Sequence, residues 1–263
     1  MEWLIQAFNE KSIIWLLLSS IVAMLSGFVS SWLTYTYISR REILEKSELE
    51  NRIKKQERIR QEIIRWSNPI LASVQELKGR LNNIVDEGYL VLSKDYERQI
   101  NSSWSISYDY FMNSTLYLFG QYFCWTRMLE EELNFELFES QIEKDNFFFA
   151  MRKVSKSLST FPPSYSCSGR DVQIFRLQQR VIGELLVTVD SKDRRVVISY
   201  ADFLKRLEDN SDDSFKQHFF PLQNLLEDIN PESGCRWKRL LSARQALKEL
   251  ELQCTDLLKV VKK

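Results

Sequence analysis

The stretch SIIWLLLSSIVAMLSGFVSSWLTYTYIS, Ser12 to Ser39, runs for 28 residues without a charged side chain between Lys11 and Arg40. A bilayer's hydrocarbon core takes roughly 20 apolar helical residues to cross, so this run is long enough to span one with some tilt. A cleaved leader would need a basic start and a shorter apolar stretch, whereas Glu2 and Glu10 precede a run about twice that length. The segment reads as a retained anchor. Trp15 near one end and Trp32, Tyr35 and Tyr37 near the other suit the headgroup boundaries.

Flanking charge predicts direction. Residues 40–60 hold eight Lys or Arg, against Lys11 alone before the run. The positive-inside rule then predicts a single-pass membrane protein with its N-terminus outside and its C-terminal domain in the cytoplasm. Cys124, Cys167, Cys235 and Cys254 lie 43, 68 and 19 positions apart, matching neither a zinc spacing nor a dense disulfide framework. With His218 as the one histidine, no metal ligand set is expected.

At 100° per residue, Ser12, Ser19, Ser20, Ala23, Ser26, Gly27, Ser30, Ser31 and Thr34 fall on one arc of about 140°. Within it Ser19, Ala23, Gly27 and Ser31 repeat every fourth residue, a spacing that lets helix backbones approach closely in lipid. Self-association into a homo-oligomer through this face is the expectation. The alternative is an oligomeric effector in which the same hydroxyls line a pore gated by the cytoplasmic domain.

Beyond the anchor, residues 40–66 lack Gly and Pro and are rich in Glu, Lys, Arg and Gln, as a juxtamembrane stalk helix would be. Asn68 and Pro69 read as a break, with Ser67 or Asn68 able to cap a new helix. The predicted organisation is therefore an anchor over 1–39, a stalk over 40–66 and an all-α cytoplasmic domain over 67–263. Ile70, Leu71, Val74, Leu77, Leu81, Ile84 and Val85 make one apolar stripe ending near Gly88. A second long helix is expected from about Trp104 to Leu133, and further helices over 145–160, 170–188, 198–208, 213–229 and 236–261. Only Leu185 to Val189 and Val196 to Ile198 look strand-like, enough for one small hairpin. Tyr110 to Thr126 carries no charge and reads either as a buried core helix or as a second membrane pass.

Chemistry leaves little trace. The seven glycines are scattered singly and none opens a phosphate loop, and nucleophile-elbow, kinase and zinc-protease patterns are absent. His218, beside Phe219 and Phe220, reads as a packed side chain rather than a catalytic base. The chain is not expected to be an enzyme or to need a cofactor. The most site-like pattern lies in the 170–188 segment, where Gln173, Arg176, Arg180, Gly183 and Glu184 share one face opposite Ile174, Leu177, Val181, Ile182 and Leu185. Arg176, Arg180 and Glu184, with Arg170 nearby, make a candidate site for an anion or a protein partner. Residues 40–263 carry 35 Lys or Arg and 34 Asp or Glu, a net charge of +1, so nucleic acid is not expected as a partner. The bilayer itself and a cytoplasmic protein are.

Overall fold

The computed structural model describes residues 2–101, 104–132, 138, 140–160, 173–209 and 213–261. The architecture is mostly helical, with seven α-helices and two short hairpins among these residues. By its contacts the chain divides into two units, Met1–Arg58 and Ile59–Lys263.

The first unit is one stretch of helix, part of α1 (Glu2–Asn83). It is long and apolar enough to cross a membrane, and none of its apolar window is buried in the protein. Met24, Phe28, Trp32, Tyr35 and Tyr37 all stand exposed. The hydroxyls of Ser26 and Thr34 donate to the carbonyls of Ala23 and Ser30 at 2.9 and 2.8 Å, so they are satisfied within their own helix.

In the second unit the end of α1 turns amphipathic and buries Trp66, Ile70, Val74, Leu77 and Leu81. Contrary to the expected break, the helix continues through Pro69. A proline inside a helix removes one hydrogen bond. Burial of Trp66 and Ile70 on either side, each contributing about 1.5–3 kcal/mol, outweighs that loss. After Asn83 the chain winds through a π-helical turn, Ile84–Gly88, and a 3-10 turn, Tyr89–Leu92.

A second departure follows. Glu97–Asn101 (β1) and Trp104–Ser107 (β2) pair antiparallel, so the helix expected from Trp104 begins only at Tyr108. That helix, α2 (Tyr108–Glu132), buries Met112, Leu116, Phe119 and Phe123, which makes the uncharged run from Tyr110 to Thr126 a core helix of this unit. Around it stand α3 (Gln141–Ser159), α4 (Arg176–Leu185), α5 (Tyr200–Glu208), α6 (Asp213–Leu226) and α7 (Cys235–Val261). Ser140 and Ser199 cap α3 and α5, accepting from the N–H of Glu143 and Asp202, both at 3.1 Å. The one expected hairpin forms as β3 (Val187–Val189) with β4 (Arg195–Val197). Its turn is organised by the Asp190 carboxylate, which accepts from the N–H groups of Lys192 and Arg194 at 2.8 and 3.0 Å.

Two helix pairings frame the region around α4. The long α7 lies along α3, and Arg239, 1% exposed, donates to the Ser157 carbonyl of α3 at 2.7 Å. α4 crosses α2 so closely at Gly183 that an added Cβ would stand 2.6 Å from the Phe123 carbonyl oxygen. Only glycine lets the two backbones meet there.

Cys124 and Cys254 are free and buried, whereas Cys235 is disulfide-bonded. The spacing read from the sequence did not single out Cys235 for a disulfide, because sequence spacing says nothing of which thiols folding brings together. Cys167 lies outside the described residues.

Candidate functional site: a basic cleft between three helices

α2 ends on Glu130, Glu131 and Glu132. Three carboxylates at a helix C-terminus oppose the helix dipole. Arginines from elsewhere in the fold gather around them. Arg195 of β4 reaches Glu131 at 2.6 Å and Glu132 at 3.3 Å, and Arg65 of α1 reaches Glu132 at 3.1 Å. Its hydrogen bond to Glu131 holds the Arg195 guanidinium above the ordinary arginine range. Arg127 bridges Glu131 at 2.6 Å and Glu184 at 3.0 Å, and Arg180 reaches Glu130 at 3.4 Å. These pairs are half-exposed, so each contributes no more than about 1 kcal/mol, and their main effect is to orient α4 on α2.

Beside this network a cavity of about 450 Å³ opens between α2, α3 and α4. Four guanidiniums line it, Arg127, Arg152, Arg176 and Arg180, against one carboxylate, Glu130. Arg127 and Arg180 are already engaged by glutamates. Arg152 and Arg176 have no carboxylate partner among the described residues. Tyr122 and Phe123, nearly fully buried, contribute aromatic wall, and Leu177 stands at the rim, 73% exposed. Arg176 is the first residue of α4, whose first turn holds no acidic side chain to offset the positive end of the helix dipole. The arrangement offers to an anion a helix N-terminus and two guanidiniums that no carboxylate among the described residues pairs with.

Gln179 pins this end of α4. It is 5% exposed, and its amide donates to the Ser155 carbonyl of α3 at 3.0 Å and to the Ile174 carbonyl at 2.8 Å. Arg152 and Arg176 are thereby carried on helices tied directly to one another.

Of the residues singled out from sequence, Arg176 and Arg180 line the cleft, while Glu184 turns to Arg127 instead of completing a ladder along α4. Gly183 is buried against α2 rather than on the open face, and Leu177 is exposed rather than inward. Arg170 lies outside the described residues. Arg127 and Arg152 were not legible as site residues. The signals present are that Arg127 is the first charge after the uncharged run and that Arg152 is the sole arginine in α3. Ser19, Ala23, Ser26, Gly27, Ser30, Ser31 and Thr34 all lie on the exposed part of α1, and a Cβ on Gly27 would meet nothing within 4 Å. His218 sits half-buried on α6. Among the described residues no three His, Cys, Asp or Glu side chains are placed to hold a metal ion.

Comparison with protein-family models, with curated proteins and with solved structures gave no match for this chain.

Proposed function

We propose that this chain is a membrane-anchored helical sensing module that self-associates through its anchor and binds an anionic, phosphate-like ligand in the basic cleft. The observation that carries the reading is surplus charge: among the described residues Arg152 and Arg176 line the cleft without a carboxylate partner, while glutamates pair with Arg127 and Arg180. Paired guanidiniums suit the oxygens of a phosphate or carboxylate. Titrating the full-length protein in phosphatidylcholine nanodiscs with inorganic pyrophosphate tests it. Saturable binding, weakened about tenfold or more by Arg152→Gln with Arg176→Gln, is expected; binding that ignores this double change sinks the reading.

Anchoring is supported by the exposed apolar surface of α1, where Trp15, Phe28 and Trp32 stand 59–74% exposed. Close packing of copies through Ser19, Ala23, Gly27 and Ser31 is preferred over a pore, because Ser26 and Thr34 spend their hydroxyl protons on their own helix. The mass of the detergent-solubilised chain beside one starting at Arg41 tests this, with an oligomer expected only when the anchor is present.

Eight basic residues over 40–60 support a cytoplasmic placement of the folded unit. The disulfide at Cys235 weighs the other way, because persistent disulfides belong to oxidising compartments. Protease protection in sealed vesicles of known sidedness decides between them.

A further inference from the structure

A second cavity, of about 580 Å³, lies where the last turns of α1 face the start of α2, with the turns over 84–92 closing one end. Its walls are largely apolar, formed by Ile84, Val91, Phe111 and Leu118. Two features have no explanation in the packing of the protein itself.

The first is Gly79. It lies inside α1 and lines the cavity, where a glycine costs about 1 kcal/mol relative to alanine. At Gly183 a close helix crossing demands the missing side chain, but a Cβ on Gly79 would meet nothing within 4 Å. Glycine there keeps the cavity open and serves no contact within the fold.

The second is Arg80. Its guanidinium lies 5.3 Å from the centre of the Phe111 ring, and no carboxylate among the described residues pairs with it. Nη1 is enclosed by protein without an acceptor. A half-buried charge in apolar surroundings is ordinarily paired. Arg80 also lines the cavity, so a counter-charge held there would lie beside its guanidinium. Desolvation draws the Arg80 pKa below the ordinary arginine value, as an unpaired, partly buried cation requires.

We propose that this cavity binds a small amphipathic carboxylate, its head on the Arg80 guanidinium and its apolar body against Ile84, Val91, Phe111 and Leu118. One guanidinium matches one negative charge, and a planar carboxylate matches the guanidinium fork. Glu76 and Gln75 stand exposed at the rim, where water screens them. The volume falls within the range of ordinary ligand pockets, about 300–1,000 Å³. A fatty acid of medium chain length and a hydrophobic aromatic acid share this chemistry.

The test is binding of radiolabelled decanoate to the full-length protein in phosphatidylcholine nanodiscs, with empty nanodiscs as background. Saturable binding above that background is expected, displaced by hydrocinnamate if the site takes aromatic acids as well. Gly79→Leu fills the cavity and Arg80→Met removes the charge while keeping an aliphatic stem, so each should weaken decanoate by about tenfold or more. Because leucine also raises helix propensity, Gly79→Leu should unfold at or above the wild-type temperature, which separates lost binding from lost fold. Decanol, equal in chain length but uncharged, should compete about tenfold less well than decanoate. The proposal is overturned by an absence of saturable binding, by wild-type affinity in Gly79→Leu, or by decanol competing as well as decanoate. None of these outcomes bears on the basic cleft, whose free arginines lie on α3 and α4.

Discussion

Replacing Gly183 by alanine probes the contact that places the basic cleft. An alanine Cβ there would stand 2.6 Å from the carbonyl oxygen of Phe123, 2.8 Å from its carbonyl carbon and 3.1 Å from the Cys124 nitrogen. All three are backbone atoms of α2, so no side chain can swing aside, and α4 has to retreat by several tenths of an ångström. Overpacking of this kind costs about 1–3 kcal/mol, and the gain in helix propensity returns up to about 1 kcal/mol. With the full return the net loss is up to about 2 kcal/mol, equivalent to a fall of up to about 8 °C in unfolding midpoint for a unit of this size. The retreat also lengthens the Arg127 to Glu184 and Arg180 to Glu130 pairs, so pyrophosphate binding should weaken with stability. Thermal unfolding of the full chain, followed by circular dichroism, measures the first effect and calorimetry the second. Gly79→Ala is the matched control: the same chemical change in open space should raise the midpoint by about 2–4 °C. If Gly183→Ala proved as stable as Gly79→Ala, the close crossing of α2 and α4 would be wrong.

Other expectations are more quickly stated. Gln179→Ala strips a donor from two carbonyls at the α3 to α4 junction and should cost about 1–3 kcal/mol in urea unfolding, with a weaker cleft; an unchanged midpoint would mean the tie is unimportant. Arg239→Ala removes a guanidinium that donates to Ser157 near the end of α3, and a loss of about 2–4 kcal/mol is expected, with the amides of both α3 and α7 exchanging faster. Burial pushes the thiols of Cys124 and Cys254 up to about 12, so neither should react with maleimide at neutral pH until the protein unfolds. The same shift has a sign for stability: the folded state holds protons that the unfolded state releases above its lower thiol pKa. This contribution is fully present below about pH 9 and falls by up to about 1.4 kcal/mol per pH unit per thiol as pH rises toward 12. Cys124→Ala with Cys254→Ala should flatten that alkaline decline, and an identical pH profile in the double variant would refute it.

Much of the helical framework was legible without coordinates. The charge-free run of 28 residues lies in one continuous helix long and apolar enough to cross a membrane, a property of length and composition that the sequence carries directly. The apolar stripe from Ile70 to Ile84 and the hairpin around Asp190 are signals written within a few residues of where they act, whereas the caps at Ser140 and Ser199, equally local, went unread. Local rules failed where a local preference met a tertiary one. Pro69 should end a helix, yet Trp66 and Ile70 lie in the core and carry α1 past it. Trp104 to Ser107 suits a helix start by periodicity, yet pairs with Glu97 to Asn101 as a strand.

The sites belong to tertiary structure alone. Arg180 could be seen as a cation from its neighbours in sequence, but its carboxylate is 50 residues away, and the one that holds Arg127 across the helices is 57 away. Which arginines are paired is a balance struck between helices, so Arg152 and Arg176 emerge without a carboxylate among the described residues only once α2, α3 and α4 are in place. Two glycines make the same point from opposite sides. Gly79 and Gly183 look alike in the sequence, each inside a helix, and no local property tells them apart. One faces open space and the other a backbone 2.6 Å from where its side chain would be, because distance between elements is a quantity that only the folded chain possesses.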